Sequence, residues 1–346
     1  MSSLSVLHDP AIDDLALTDD ISRRHFGAAA GLSLAALFGA ACSSSNEDSD
    51  NNNAGSTRAI ETPMGPVIVP VDPQRVVSLD AYVGLQTLDE LGASVVATGT
   101  LGGGLRTLVS SASQELPSIG VTAIGDMQIE TIAAAAPDLI VGRQPIGKEY
   151  YAELSAIAPT VLIPFGYWRD QYIDVADSVG LAAQATQNFS GLDERISALR
   201  TEIEQVWPDG VRLSVVRVSD TSGDVRSYNT LAASTTFLYA DILSGAGIVP
   251  TANSLPGADP SKVNSAVSAE NLPLVDGDVI IYYVGAGGQA DAGVDVEQAL
   301  VSSPLWSTLS AVQANRAFEV NSAPWFDGYN LAGANAVIDD LRRILL

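Results

Sequence analysis

The sequence predicts an α/β protein made of two Rossmann-like lobes joined by a single long α-helix. From residue 58 onward, short β-branched runs alternate with short helical patterns, which is typical of parallel βαβ units. The alternation is interrupted for nearly forty residues, 171–207, where strand patterns are scarce. It then resumes to the C-terminus, and the two alternating halves each contain a segment of the same design. These observations together predict the bilobal fold.

The interrupting segment predicts the connecting helix. Apolar residues recur there at spacings of three and four, which places them on one helical face: Phe189, Leu192, Ile196, Leu199, Ile203 and Val206. The pattern ends before Pro208, a residue that cannot continue a helix. We therefore predict an N-terminal lobe over 59–182, a connecting helix over 183–207 and a C-terminal lobe over 208–346.

The repeated segment is "IETIAAAAPDLIVG" (129–142) in the first half and "AENLPLVDGDVIIYY" (269–283) in the second. Each copy has a glutamate, a short apolar helical run, a turn that contains aspartate and a buried strand. The copies lie about 140 residues apart. Their agreement predicts that the lobes are built alike.

Residues 1–42 have the pattern of an export signal. Arg23 and Arg24 precede an uncharged run of 17 residues that ends at Cys42. The run is short for a membrane span, which needs roughly 20 apolar residues, and the arginine pair resembles a twin-arginine signal. Small residues before Cys42 resemble a lipobox, although Gly39 stands where that motif usually has leucine, and an uncleaved membrane anchor is the alternative. Residues 43–58 are polar and aperiodic, which predicts a flexible tether.

Composition excludes several classes of function. The formal charge is −24, and without residues 1–42 the chain keeps 36 acidic against 15 basic side chains, so binding to nucleic acid is not expected. Both histidines, His8 and His25, and the lone Cys42 lie in the first 42 residues. The rest of the chain therefore has no Ser-His-Asp triad, no Cys-His pair and no histidine zinc site. We predict no cofactor, no metal site and no catalytic residue.

The order of several stretches resembles the substrate-binding lipoproteins of ABC importers for ferric siderophores, haem and cobalamin. They include "VPVDPQRVVSLD", "LSAIAPTVLIP", "YWRDQYIDVADSVG" and "SPLWSTLSAVQANRAFEV", and the likeness covers nearly the whole chain after the tether. The resemblance implies two lobes with a rigid helical connector, a lipid-anchored protein outside the cytoplasm, and an ABC permease with its ATPase as partner. It also implies that Glu130 and Glu270 dock onto arginines of the permease, where carboxylate–guanidinium hydrogen bonds are strong. The alternative is a glutamate that only offsets the dipole of its own helix.

Ligands of α/β lobes gather at the carboxyl ends of strands and between domains. Arginine offers a planar fork of donors and aromatic rings offer contact area, a combination that suits a large and often anionic ferric siderophore. The predicted ligand contacts are Tyr82, Arg143, Tyr167, Trp168, Arg217, Arg226, Tyr228, Tyr283, Trp325 and Tyr329. For each of them a structural role is the alternative; Tyr167 and Trp168, for example, could instead pack the hinge.

The sequence therefore predicts a lipid-anchored protein that captures a ferric siderophore between its lobes and delivers it to an ABC permease, without chemistry on the ligand. Alternatives with the same fold are a cobalamin- or haem-binding protein and a sensory or adhesion lipoprotein without transport. A secreted hydrolase that uses paired carboxylates is disfavoured, because no acidic residues gather at motif spacing.

Overall fold

The computed structural model describes residues 56–100, 108–120, 127–218, 225–228, 237–251, 264–267, 269–284 and 300–346. Cys42, Arg23 and Arg24, predicted for lipidation and export, lie outside these ranges. The strands are β1 (Thr57–Thr62), β2 (Gly65–Pro70), β3 (Val76–Ser78), β4 (Val95–Thr98), β5 (Leu139–Arg143), β6 (Thr160–Ile163), β7 (Arg212–Val218), β8 (Val225–Tyr228), β9 (Val249–Pro250), β10 (Asn264–Val267), β11 (Val279–Val284) and β12 (Ala317–Glu319).

The helices within these ranges alternate with the strands. The α-helices are α1 (Val83–Glu90), α2 (Ser111–Gln114), α3 (Ile129–Ala134), α4 (Gln144–Gly147), α5 (Tyr151–Ile157), α6 (Trp168–Ser178), α7 (Ala182–Val206), α8 (Leu238–Gly245), α9 (Ser310–Gln313), α10 (Ser322–Phe326) and α11 (Leu331–Leu345). The 3-10 helices are Lys148–Tyr150, Ala269–Val275 and Trp306–Thr308. Of the helices described here, none is both long enough and apolar enough to cross a membrane.

The N-terminal lobe contains a parallel sheet with the strand order β4-β3-β5-β6, as the alternating pattern predicts. An antiparallel hairpin of β1 and β2 precedes it. β1 begins at Thr57, inside the segment predicted as tether, and Arg58 on this strand forms an ion pair with Asp177 of α6 at 3.2 Å.

The C-terminal lobe contains a mixed sheet with the strand order β10-β8-β7-β11-β12, and β9 also pairs with β7. The strands β9, β11 and β12 are parallel to their neighbours, as predicted, but β8 and β10 pair antiparallel. The alternating pattern indicates parallel βαβ units and does not mark these two antiparallel strands. Only six residues join β7 to β8, too few for the crossover that a parallel neighbour needs.

The predicted repeat recurs as the same local structure in both lobes. Asp138, just before β5, accepts hydrogen bonds from the backbone N–H groups of Gln74 at 2.7 Å and Arg75 at 2.9 Å. Asp278, just before β11, accepts one from the N–H of Arg212 at 2.8 Å. The second copy forms a 3-10 helix, Ala269–Val275, with Pro273 inside it, where the first copy forms an α-helix.

The connecting helix is confirmed as α7, and it begins one residue earlier than predicted. Of the six predicted apolar positions, Phe189, Leu192, Ile196, Leu199 and Ile203 are buried, whereas Val206 at the last turn is 53% exposed. The buried face of α7 belongs to one apolar core that also contains residues of both sheets, such as Leu139 of β5 and Leu213 of β7. The opposite faces of the two sheets are covered by separate cores.

Helix α6 carries an acidic side chain whose titration affects stability. Asp174 lies between Asp170 and Asp177 on one face of the helix, and burial followed by repulsion from these two carboxylates raises its pKa to about 6. The native state therefore binds the proton more tightly than the unfolded chain does. The contribution of Asp174 to stability therefore falls as pH rises from about 4 to about 6, because the charged form is disfavoured only in the folded protein.

We predict that Asp174→Asn raises the free energy of unfolding by about 1–2 kcal/mol near pH 7.5 and changes it little near pH 4. Urea unfolding at both pH values measures this difference. Asp209→Asn, at an exposed turn after α7, is the control and should change stability by less than about 0.5 kcal/mol. An Asp174→Asn variant that is less stable than wild type near pH 7.5 would contradict the prediction.

Candidate functional site

Arg143 and Asp80 meet at the carboxyl edge of the N-terminal sheet, where β5 and β3 end. Arg143 Nε lies 3.7 Å from Asp80 Oδ1, and the guanidinium lies 5.7 Å from the centre of the Tyr82 ring. Asp80 Oδ1 also accepts hydrogen bonds from the N–H groups of Tyr82 at 3.1 Å and Gly84 at 3.3 Å. The carboxylate is therefore stabilised at the N-terminus of α1 and fixes the arginine beside it.

Gly84 is required for this arrangement. A Cβ at this position would collide with Ser78 Oγ and lie 3.2 Å from Asp80 Oδ2. Among the described residues, Arg143 Nε and Asp80 Oδ2 are buried without a hydrogen bond.

Tyr329 completes this group from the C-terminal lobe. Its ring lies edge-on to that of Tyr82, with centroids 6.0 Å apart and planes at 84°. The backbone around it is held by Gln86 of α1, which donates from Nε2 to the carbonyl of Asp327 at 2.7 Å and accepts from the N–H of Tyr329 at 2.9 Å. We call Asp80, Tyr82, Arg143 and Tyr329 the Arg143 cluster, and it contains residues of both lobes.

Glu90, one turn after Gln86 on α1, makes a second contact between the lobes. Its carboxylate accepts from the N–H groups of Leu331 at 2.9 Å and Ala332 at 2.8 Å, at the start of α11. Tyr172 of α6 donates its hydroxyl to the same carboxylate at 2.9 Å, and burial followed by this negative charge raises the pKa of Tyr172. Glu90 thus caps a helix of the opposite lobe.

An aromatic group in the C-terminal lobe surrounds Arg217 of β7. The Arg217 guanidinium lies 4.7 Å from the centre of the Phe326 ring, and Tyr283 of β11 packs against the same ring at 6.2 Å between centroids. Trp325 stacks obliquely on Tyr239 at 5.7 Å. Tyr283 and Trp325 are fully buried, so in this conformation they pack against Phe326 and Tyr239 inside the core and present no surface to a ligand.

Tyr167 and Trp168 converge on a single carboxylate of the other lobe. Asp241 of α8 accepts hydrogen bonds from Tyr167 Oη at 2.7 Å, Trp168 Nε1 at 3.1 Å and Arg169 Nε at 2.7 Å. Arg169 also donates to Asp193 of α7 at 2.6 Å. Burial, reinforced by Asp241, raises the pKa of Tyr167, so its hydroxyl stays a donor. We call Tyr167, Trp168, Arg169 and Asp241 the Asp241 cluster.

The Asp241 cluster gives Tyr167 and Trp168 a connecting role in this conformation. Trp168 has no exposed surface, and its ring packs edge-on against Phe189 of α7 at 5.3 Å. Tyr167 is half-buried. Contact of these two rings with a ligand stays a prediction.

For the four remaining predicted residues, the structure gives the strand or helix on which each one lies. Arg226 and Tyr228 lie on β8, and Arg226 is the register partner of Arg217. Glu130 is exposed in the first turn of α3, and Glu270 is the second residue of its 3-10 helix. In the described part of the chain, no group of three or more acidic, histidine or cysteine side chains could hold a metal ion.

The structure adds polar residues that sequence reasoning did not select: Gln86, Glu90, Arg169 and Asp241. Gln86 and Glu90 are spaced four apart on α1, a pattern that indicates a shared face but not the partner across the lobes. Asp241 is one acid among 41 and carries no local signal.

Comparison with known proteins agrees with this architecture. A family model described as "Periplasmic binding protein" matches residues 78–324. Among curated proteins, the "Probable siderophore-binding lipoprotein YfiY" of Bacillus subtilis is 27% identical over 90% of this chain and 95% of its own length.

Solved structures share the fold. A siderophore periplasmic binding protein from the fuscachelin gene cluster of Thermobifida fusca has a TM-score of 0.63 and 26% identity, covering 80% of this chain and 98% of that one. Staphylococcus aureus SirA, solved in complex with staphyloferrin B, has a TM-score of 0.68 and 23% identity, covering 84% of this chain and 98% of its own.

We predict that Asp241→Asn lowers the free energy of unfolding by about 1–3 kcal/mol, because Arg169 loses its more buried charge partner and two further donors lose a carboxylate acceptor. Urea unfolding measures the loss. Asp193→Asn is the matched control: it removes the other, 58% exposed partner of Arg169 and should cost less than about 1 kcal/mol. Equal effects of the two substitutions would show that the cluster is not a central contact between the lobes.

Proposed function

This chain belongs to the periplasmic binding protein family, and from that premise we propose that it captures a ferric siderophore between its lobes and delivers it to the permease of an ABC importer. The family is one of binding proteins rather than enzymes, so the ligand is bound, carried and released without chemistry. Export through Arg23 and Arg24 and lipidation at Cys42 are part of the proposal, and they would hold the protein at the outer face of the cell membrane.

The Arg143 cluster is the observation that carries the proposal from the structural side. It places an arginine, a buried carboxylate and two tyrosine rings where the carboxyl ends of β3 and β5 meet the opposite lobe. Ligands of open α/β sheets bind at this edge. The Arg143 guanidinium suits a large chelate with carbonyls and negative charge, whereas the Tyr82 and Tyr329 rings are buried, at 5% and 8% exposure, and support the arginine.

The contacts between the lobes indicate how binding proceeds. The lobes share a core around α7 and are connected by Gln86, Glu90 and the Asp241 cluster. A large hinge rotation would have to break these contacts together. The cleft is therefore largely preformed, and the ligand is admitted and released by small displacements of the lobes.

We predict that ferric siderophores quench the tryptophan fluorescence of the purified protein in a saturable titration, and that Arg143→Gln weakens this binding by about tenfold or more. Arg200→Gln removes an equal charge from the exposed side of α7 and should leave affinity within about twofold. No response to ferric siderophores would contradict the proposal, and saturable binding of cobalamin or haem instead would reassign the ligand.

Glu130 and Glu270 are proposed to dock the protein on its permease. Both are the second residue of their helix, and both lie eight residues before an aspartate, Asp138 or Asp278, that binds the first strand of its sheet. The two lobes thus carry a glutamate at equivalent positions. A carboxylate in a first helical turn is stabilised there and can pair with guanidinium groups of a partner.

We predict that the Glu130→Gln, Glu270→Gln double variant lowers uptake of the ferric complex by about tenfold or more while leaving its Kd unchanged. Uptake into iron-starved cells and fluorescence titration measure the two quantities separately. Glu153→Gln, at an exposed position of α5 in the N-terminal lobe, is the control. Wild-type uptake by the double variant would exclude docking through these glutamates.

A further inference from the structure

Arg143 lies beside a carboxylate without forming a hydrogen bond to it. Its Nε atom is 3.7 Å from Asp80 Oδ1, which is longer than the roughly 2.7–3.2 Å of an N–H···O hydrogen bond. Within the described residues, the Arg143 guanidinium donates no hydrogen bond. Arg169 has a similar side-chain exposure, 17% against 15%, yet it donates to both Asp241 and Asp193. The terminal N–H groups of Arg143 are therefore available to another molecule.

Asp80 is held in place by its own strand end and by α1 rather than by the guanidinium. Its Oδ1 atom accepts the N–H groups of Tyr82 at 3.1 Å and Gly84 at 3.3 Å, and its carbonyl accepts the Ser78 hydroxyl at 2.7 Å. Its Oδ2 atom is buried and has no hydrogen bond within the described residues, and a Cβ at Gly84 would lie 3.2 Å from that oxygen. Asp80 therefore gives Arg143 a neighbouring negative charge but no hydrogen bond.

The burial of Asp80 determines how strongly its charge acts on a ligand at Arg143. Its side chain is 3% exposed, so water screens its charge little. The two carboxylates on Arg169 show the contrast, because Asp241 and Asp193 are 19% and 58% exposed and solvent weakens the repulsion between them. An anion on Arg143 would instead meet the poorly screened charge of Asp80. The pair thus offers hydrogen-bond donors with almost no net positive charge.

An uncharged oxygen acceptor fits such a site better than a carboxylate does. The carbonyl oxygen of an amide or a hydroxamate accepts hydrogen bonds from a guanidinium and brings no negative charge close to Asp80. A carboxylate would make the same hydrogen bonds but would lose much of their energy to repulsion from Asp80. The charge of Asp80 therefore decides which of the two groups Arg143 takes.

We propose that Asp80 is a specificity-determining residue: it cancels the charge of Arg143, so that this arginine takes uncharged carbonyl oxygens of the ferric complex in preference to carboxylates. This inference rests on the proposed function and deepens it, because it names the chemical group that the N-terminal lobe takes. Asp80 acts through the charge that it places beside Arg143 and does not have to touch the ligand. In Asp80→Asn, the amide oxygen can accept the same two backbone N–H groups while the charge is gone.

The test compares two probes, ferric citrate, which is an anionic polycarboxylate complex, and an uncharged ferric cyclic trihydroxamate. The proteins are wild type, Asp80→Asn and Arg143→Gln. Glu153→Gln and Arg200→Gln are the controls for loss of one negative and one positive charge at exposed positions. Fluorescence titration gives each Kd, and thermal unfolding without ligand gives each Tm. The quantity compared is the ratio of the two Kd values of one protein, from which a partial loss of folded protein cancels.

We expect Asp80→Asn to shift this ratio by about tenfold or more in favour of ferric citrate, because a repulsion on the anionic probe is removed. Arg143→Gln should weaken the trihydroxamate by about tenfold or more and ferric citrate by less than about threefold. Both controls should leave the ratio within about twofold of that of wild type.

Other outcomes overturn the inference. If Asp80→Asn changes both affinities alike, then Asp80 only holds Arg143 in place. A greater loss for ferric citrate than for the trihydroxamate in Arg143→Gln shows that this arginine takes a carboxylate, and this comparison decides the question if Asp80→Asn does not fold. Binding of ferric citrate alone by wild type also rejects the inference while leaving capture of a ferric complex intact. Failure of every ferric complex to bind rejects the proposed function as well.

Discussion

The apolar face of α7 is buried in a core that contains side chains from both sheets, and the relative placement of the lobes follows from this. A helix of 25 residues that packs along its length cannot bend without exposing apolar surface. Polar contacts then fix the orientation: the Asp241 cluster connects the end of the N-terminal lobe to α7 and α8, and Glu90 caps α11. These contacts together hold the two lobes in one arrangement.

The candidate site depends on this placement because neither lobe contains it alone. The position of Tyr329 beside the Tyr82 ring is set by Gln86, which holds the backbone just before Tyr329 through the Asp327 carbonyl and the Tyr329 N–H. Arg143 and Arg217 lie on sheets of different lobes, each beside an aromatic ring. A ligand that contacts both arginines must bridge the lobes. It loses less affinity to ordering of the side chains, because folding has already fixed their positions.

Local patterns predicted the elements well, and contacts between distant segments poorly. The periodicity from Phe189 to Ile203 predicted the connecting helix, and the repeated Asp138 and Asp278 turns predicted two similar lobes. The antiparallel β8 was missed because its four residues, Val225–Tyr228, are too few to give a clear periodicity. The partners of Trp168 and Tyr329 lie 73 and 247 residues away, at Asp241 and Tyr82, and no local pattern encodes which lobe surfaces meet.

The most direct test is a structure of the protein bound to the ferric complex that co-purifies with it from iron-starved cells. The account predicts one iron complex between the lobes, in contact with Arg143 and Tyr329, and lobes that keep the contacts of Asp241 and Glu90 seen here. An iron complex bound to one lobe alone, or lobes that separate at Asp241 when the ligand enters, would contradict a preformed cleft.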